Sequence, residues 1–328
     1  MTKRIFSLIT DLKLEQDLAN NIRRRSLDQK FLYIGENVAE AYYEIINPSG
    51  NYTQGFSPKD SYEFIKKQLN INQKTAIISL GCGDASPEAF LLKHLAKDGY
   101  NIDYFGIDIS RSMLVKAEKV LVDCDIKKNI IHADISQENF KNELQVLTRD
   151  FDKRIFAFLG ATFGNNNQTE ITDILFNILG KNDILWLDVA VRASLSKIDD
   201  MKVFSRYLNW LKNDEIVKNF FYRSLKAIGI PFDSGEFHLT TSEEPSIGAL
   251  LSTYSFLLKK KVKINLLGED IHLLPNENVP VLNIRAYHAE TLIEFFKGHN
   301  FKLIDKQFKG RWGQFIFTKL GKLKIKNQ

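Results

Sequence analysis

The chain predicts an α/β fold: a doubly wound, mostly parallel sheet closed by an antiparallel hairpin and interrupted by an inserted α+β segment. Three observations predict it. A short apolar β-branched run breaks into a tight glycine turn and a helix start at Ile77–Glu88. Strand and helix patterns then alternate from about 75 to 191. After 288 two more strand patterns flank the short link Lys309-Gly310-Arg311-Trp312-Gly313, which reads as a hairpin turn.

The first unit is Ile77-Ile78-Ser79-Leu80-Gly81-Cys82-Gly83-Asp84-Ala85-Ser86-Pro87-Glu88. Gly81 and Gly83 let the backbone approach a ligand where a side chain would collide. Ser86 is the expected N-cap, Pro87 suits the first helical turn, and Gly99 is the expected left-handed stop. The remaining strands are expected near 103–108, 129–133, 154–159 and 183–190, in a sheet with right-handed crossovers. Residues 1–65 read as mostly helical, and Ile198–Ile228 as a long, aromatic-rich helical stretch. Strands near 253–266 and 280–287 complete the insert, and helix Ala289–Lys297 leads into strands Phe301–Phe308 and Gln314–Lys319. The expected division is a nucleotide-binding domain at 66–195 and 286–320, with 1–65 and 196–285 forming a substrate domain.

Charge selects the nucleotide. A pyrophosphate on a helix N-terminus is drawn by free N–H groups and the positive dipole end. Asp84 and Glu88 stand at that corner and oppose it, and the third glycine of the dinucleotide pattern is replaced by Ser86. Two carboxylates suit a ligand with an ammonium and a sulfonium, which is S-adenosylmethionine (SAM). Asp108 ends the second strand, where a carboxylate accepts ribose hydroxyls; it equally fits a plain cap for the next helix. Asp134, followed by Ile135, ends the third strand where an adenine amino group would lie. The fourth strand runs through Gly160 into Ala161-Thr162-Phe163-Gly164-Asn165, a loop facing the donated methyl. Asn165 reads as a holder of a polar acceptor group, or as an ordinary turn asparagine. Gly81, Gly83, Asp84, Asp108, Asp134, Ile135 and Gly160 are thus the expected SAM contacts.

Composition fits. The chain has 328 residues, 44% of them apolar, and a net charge of +5 that does not demand nucleic acid. Its two cysteines, Cys82 and Cys124, lack metal-ligand spacing and suit a reduced, cytoplasmic compartment. The apolar patch Ile5–Ile9 is too short for a signal peptide, and no run approaches a membrane span. The histidines have no metal spacing, so no metal is expected.

Seven strands ending in such a hairpin resemble the Rossmann-like sheet of class I methyltransferases. Ser79-Leu80-Gly81-Cys82-Gly83 followed by Phe158-Leu159-Gly160-Ala161-Thr162-Phe163-Gly164-Asn165 resembles, more specifically, the histidine-specific SAM-dependent methyltransferases of ergothioneine biosynthesis. The resemblance implies that Asn165 holds an amino-acid substrate and that an N-terminal tyrosine, best matched by Tyr52, closes over it; these two are the expected catalytic residues. Two departures are clear. Pro87 stands where the family has a lysine, and the segment that reads the imidazole in the family is here Leu282-Asn283-Ile284-Arg285-Ala286-Tyr287-His288, without an acid. Losing that acceptor weakens selectivity for histidine. Arg285 and Tyr287 in this segment are expected substrate contacts, Arg285 toward an anion unless it is simply a surface arginine. The expected activity is N-methylation of a small amino acid or amine. Open alternatives are a protein or RNA acceptor, and a SAM-binding module without catalysis.

Overall fold

The computed structural model describes residues 5–46, 55–192, 205 and 213–321. The sheet has eight strands rather than seven. In chain order they are β1 (Phe6–Ser7), β2 (Thr75–Leu80), β3 (Ile102–Asp108), β4 (Lys127–His132), β5 (Lys153–Phe158) and β6 (Ile184–Ala190). The insert supplies β7 (Gly235–Glu244), β8 (Ala249–Leu258), β9 (Val262–Leu266), β10 (Glu269–Leu273) and β11 (Asn278–Tyr287). The sheet then resumes with β12 (Phe301–Lys309) and β13 (Trp312–Lys319). Its spatial order is β1-β4-β3-β2-β5-β6-β13-β12. All neighbours are parallel except β13, which runs antiparallel to both β6 and β12. The unexpected strand is β1, two residues paired parallel to β4 and too short to carry a period of its own.

The helices are α1 (Asp11–Arg23), α2 (Glu36–Ile46), α3 (Pro58–Lys66), α4 (Ser86–Lys97), α5 (Arg111–Val120), α6 (Glu138–Leu147), α7 (Gln168–Ile178), α8 (Glu215–Ala227) and α9 (Ala289–Gly298). Short 3₁₀ turns lie at Gln29–Tyr33 and Thr162–Asn165. Gly99, at φ +83°, follows α4 as expected. The start of α4 differs: Ala85 is the N-cap, in the left-handed region, and Ser86 is already helical. The cap moves because Asp84, not Ser86, supplies the accepting side chain, taking the Ser86 N–H at 3.0 Å.

Alternation along the central strands builds a core on each face of the sheet. Ile78, Phe156, Leu187 and Phe315 pack on one side with α7 and α9, while Ile77, Ile155, Trp186 and Ile316 pack on the other with α4 and α5. Helix α3 joins this second core through Tyr62, Phe64 and Ile65. A third core gathers Ala19, Leu32 and Ala41 from the N-terminal segment with Phe220, Phe221, Tyr254, Phe256 and Val279 of the insert.

The insert departs from expectation in three ways. Strand β7 lies between the helical stretch and the first expected strand of the insert, where none is expected, because most of its residues are exposed and show no apolar alternation. The run 253–266 divides into β8 and β9 around a bend at Lys259–Lys260. Of the long helical stretch, α8 is present, while residues 193–204 and 206–212 lie outside the described residues. Among the described residues, no helix is long and apolar enough to cross a membrane.

Candidate active site

A cleft of about 900 Å³, open mouth included, lies beyond the carboxyl ends of β2, β3, β4 and β5. This is where a doubly wound sheet leaves a crevice for ligands. Its floor is the glycine turn. Gly81 has φ +74°, and a Cβ there would sit 2.5 Å from Thr162 Cγ2, so the backbone corner exists only without a side chain. The Gly81 and Cys82 N–H groups both donate to the Ile107 carbonyl, at 2.8 and 3.0 Å, tying the turn to the end of β3.

Asp108 faces the cleft from the tip of β3. Its carboxylate accepts the Gly83 N–H at 2.8 Å and the Ser110 N–H at 2.7 Å. Burial pushes its pKa up, and these backbone donors pull it part of the way back. One oxygen is bonded to each amide, which leaves acceptor capacity on both for ribose hydroxyls. The cap and ribose readings are therefore compatible in one side chain.

Asp134 and Ile135 line the cleft at the end of β4. Ser136 donates to one Asp134 oxygen through N–H and Oγ, at 2.9 and 2.7 Å, and Lys30 Nζ reaches the other at 2.6 Å. Burial alone would raise this pKa, but Lys30 and Ser136 outweigh it and hold it below the ordinary value.

The loop after β5 forms the opposite wall. Gly160 and Ala161 are both left-handed, at φ +63° and +64°, and the following 3₁₀ turn presents Asn165 to the cleft. Among the described residues, nothing in the protein hydrogen-bonds the Asn165 amide, whereas Asn166 Nδ2 is spent on the Thr162 carbonyl at 2.9 Å. Beneath the loop lies buried Asp188 of β6, whose backbone carbonyl accepts the Ala161 N–H at 3.2 Å. Burial lifts the Asp188 pKa to about 7.

The structure therefore brings Gly81, Gly83, Asp108, Asp134, Ile135, Gly160 and Asn165 to one cleft. It corrects four other expectations. Asp84 is buried and turned inward, its oxygens taken by Ser86 N–H at 3.0 Å and Ser86 Oγ at 2.6 Å, so it caps the turn instead of lining the cleft. Glu88 is likewise buried against Ser79, and burial raises its pKa to about 7. Arg285 is turned largely to the protein, since Glu244 and two loop carbonyls take four of its five N–H donors. Tyr287 is a core side chain, fully buried and packed near Phe163 at a centroid distance of 6.0 Å. Tyr52 lies outside the described residues.

Sequence reasoning missed the roof. Gln29, Lys30, Tyr33 and Tyr42, all N-terminal, also line the cleft. Gln29 donates to Tyr33 Oη at 3.1 Å and accepts the Asn283 N–H of β11 at 3.1 Å, joining the roof to the insert. The rings of Tyr33 and Tyr42 meet edge-on at 5.0 Å. The aromatic density of Phe31–Tyr43 was the available signal, though nothing local in it points to a cleft.

The SAM reading passes a test of fit. Gly81 and Gly83 present bare backbone to the cleft, and among its described lining residues two strand-end carboxylates stand against one cation, Lys30.

Comparison with known proteins agrees. The profile of the family described as histidine-specific, SAM-dependent methyltransferases matches residues 59–318. No curated protein matches the chain in sequence. Among solved structures, the chain is similar to the CcbJ methyltransferase of Streptomyces caelestis, at 10% identity and TM-score 0.43, covering 90% of this chain and 100% of that one. It is similar also to the 1,6-didemethyltoxoflavin N1-methyltransferase of Burkholderia thailandensis, at 8% identity and TM-score 0.44, covering 96% and 94%. A SAM-dependent methyltransferase of Methanosarcina mazei matches at 15% identity and TM-score 0.42, covering 78% and 97%. Strand order and the family profile, rather than these distant likenesses, carry the assignment.

Proposed function

Since the chain belongs to the histidine-specific, SAM-dependent methyltransferases, we propose that it methylates the nitrogen of a small amino acid or related amine, and that histidine itself is a poor acceptor. The observation that carries this reading is Asn165: an amide with no hydrogen-bond partner among the described residues, on the wall of the cleft that Asp108 and Asp134 also line. Gly81, Gly83, Asp108, Asp134, Ile135 and Gly160 hold SAM in this proposal. Asn165 holds the acceptor, with Tyr52 closing over it. Residues 66–195 and 286–320 make the SAM domain, and 1–65 with 196–285 the substrate domain; the core shared by Leu32, Phe220 and Phe256 supports that pairing.

Bound SAM supplies a methyl group on a sulfonium; the acceptor nitrogen forms the new N–C bond as the C–S bond breaks, and its electron pair leaves with a neutral thioether. The protein's task is mainly alignment and exclusion of water. The backbone corner at Gly81 admits the cofactor closely, Asp108 fixes its rotation, and the Asn165 amide orients the acceptor. An ammonium must lose its proton first, and a desolvating cleft roofed by Tyr33 and Tyr42 lowers its pKa toward that state. The poor reading of histidine is supported by the segment Leu282–His288, which lacks an acid and whose Arg285 is spent within the protein. A small acceptor also fits the modest net charge, which gives no electrostatic footprint for nucleic acid. The two buried cysteines suit a cytoplasmic setting.

The test is incubation of the purified chain with methyl-labelled SAM and a cellular metabolite pool, with mass-spectrometric identification of products. The expected result is label on a small amine. Label confined to RNA or protein would contradict the reading and make the insert a docking surface.

A further inference from the structure

The arginine left over by the substrate reading has a geometry of its own. Arg285 Nη1 donates to the Gly164 carbonyl at 2.9 Å and to the Asn166 carbonyl at 3.1 Å, the two carbonyls that flank Asn165. Its Nε and Nη2 donate to Glu244, at 2.7 and 3.1 Å, in a bidentate pair. The side chain is buried, with 9% exposure, so every donor counts.

We infer that Arg285 is a positioning residue for methyl transfer, a strut by which the inserted sheet fixes the loop presenting Asn165. The inference rests on the proposed role of Asn165 but not on the identity of the acceptor. Three features carry it. The loop begins with Gly160 and Ala161, both left-handed, and Ala161 carries a Cβ there, a conformation that persists only when its surroundings hold it. Asp188 holds the near end through its backbone carbonyl, which accepts the Ala161 N–H at 3.2 Å, and Arg285 holds the far end. Glu244, at the end of β7, neutralises the guanidinium and aims it, while β8 lies between β7 and β11.

The neighbouring pair repeats the arrangement. Glu243 takes Arg192 in a bidentate grip at 2.8 and 3.1 Å, and the Arg192 N–H donates to the Tyr287 carbonyl at 2.8 Å. Arg192 and Arg285 stand where the chain leaves the large sheet and where it returns. Successive glutamates at one strand end thus tie both crossings, and one of the two arginines continues into the cleft wall. A planar fork serves two carbonyls and a carboxylate at once, whereas an ammonium at the end of a lysine stem cannot reproduce that geometry.

The experiment uses the full chain bound to S-adenosylhomocysteine (SAH), comparing the native protein with Arg285→Met, Arg285→Lys and Glu244→Gln. Amide hydrogen exchange over residues 160–168 is read against exchange in β2 and β3, and SAH affinity is measured by calorimetry. Arg285→Met is expected to speed exchange in the loop by about tenfold or more, as expected for loss of hydrogen bonds from a charged donor. Arg285→Lys should recover part of the protection, Glu244→Gln should lie between, and SAH affinity should stay within a few-fold. In the labelled-methyl assay, turnover should fall by about 100-fold with the KM for SAM unchanged, as expected for a misplaced acceptor group. Native exchange in the loop of Arg285→Met, or acceleration spread equally through β2 and β3, would overturn the inference. If Arg285→Met does not fold, the same two outcomes are read from Glu244→Gln. Should no acceptor be labelled even by the native chain, the proposed function fails while the exchange comparison still decides the strut.

Discussion

Replacing Asp108 with alanine removes a carboxylate that now joins three things: the Gly83 amide, the Ser110 amide and the open cleft. A ribose held through both hydroxyls loses two charge-assisted bonds, each worth about 1.5–3 kcal/mol. Even one such bond, at the low end, weakens SAM binding by roughly tenfold, and both together by well over a hundredfold. The orphaned Gly83 and Ser110 amides lie at the cleft wall, where water can replace the carboxylate, so the fold should lose only about 1–3 kcal/mol. Titration calorimetry with SAM and SAH, alongside circular dichroism, measures both effects. A pH series adds a second signature. Burial raises the Asp108 pKa above 3.8, and the ribose needs the ionised form, so native affinity should rise as pH climbs through that titration and the alanine variant should lose the dependence. A variant with native dichroism and native affinity would reduce Asp108 to a link between a strand tip and a helix.

Asn165→Ala should lower turnover by about 100-fold while SAM affinity stays within a few-fold, since the amide meets the acceptor and not the cofactor; equal losses in both would refute that division. Gly81→Ala places a methyl 2.5 Å from Thr162 Cγ2 at φ +74°, so thermal unfolding should show a loss of about 1–3 kcal/mol together with loss of SAH binding, and a neutral result would refute the close packing of turn and loop. Asp188 keeps its proton to a pH of about 7 in the native state, against 3.8 for the ordinary carboxyl. The folded state therefore binds the extra proton between those values, and stability falls as pH rises through that window, by on the order of 4 kcal/mol at most. Asp188→Asn keeps the shape of the side chain without its titration and should flatten that slope in urea titrations from pH 4.5 to 8; parallel curves would show that the charge is not the cause.

The central sheet was legible because its strands are buried on both faces, so runs such as Ala76–Leu80 and Ile155–Phe158 stand out as continuous apolar segments. The glycine turn and the hairpin link were legible because backbone geometry there restricts which residues fit. Asp108, Asp134 and Asn165 followed from position alone: Asp108 ends β3, Asp134 lies just past β4, and Asn165 lies in the loop that follows β5. Strand β7 was not legible: Gly235–Glu244 is largely exposed, and polar residues such as Thr240, Thr241 and Ser242 give no alternation. Direction was also hidden. An acid at a helix start looks the same whether it faces a ligand or, like Asp84, folds back on Ser86. Partners distant in sequence were hidden most of all. Lys30 meets Asp134 across 104 residues, and Glu244 occupies Arg285 across 41, so neither pairing leaves a local pattern.

A crystal structure of the chain with SAH tests the central claim most directly. The account predicts the ribose hydroxyls on Asp108, the adenine beside Asp134 and Ile135, and the thioether sulfur directed at the Gly160–Asn165 loop. SAH bound elsewhere, or a cleft that takes NAD while rejecting SAH, would contradict it.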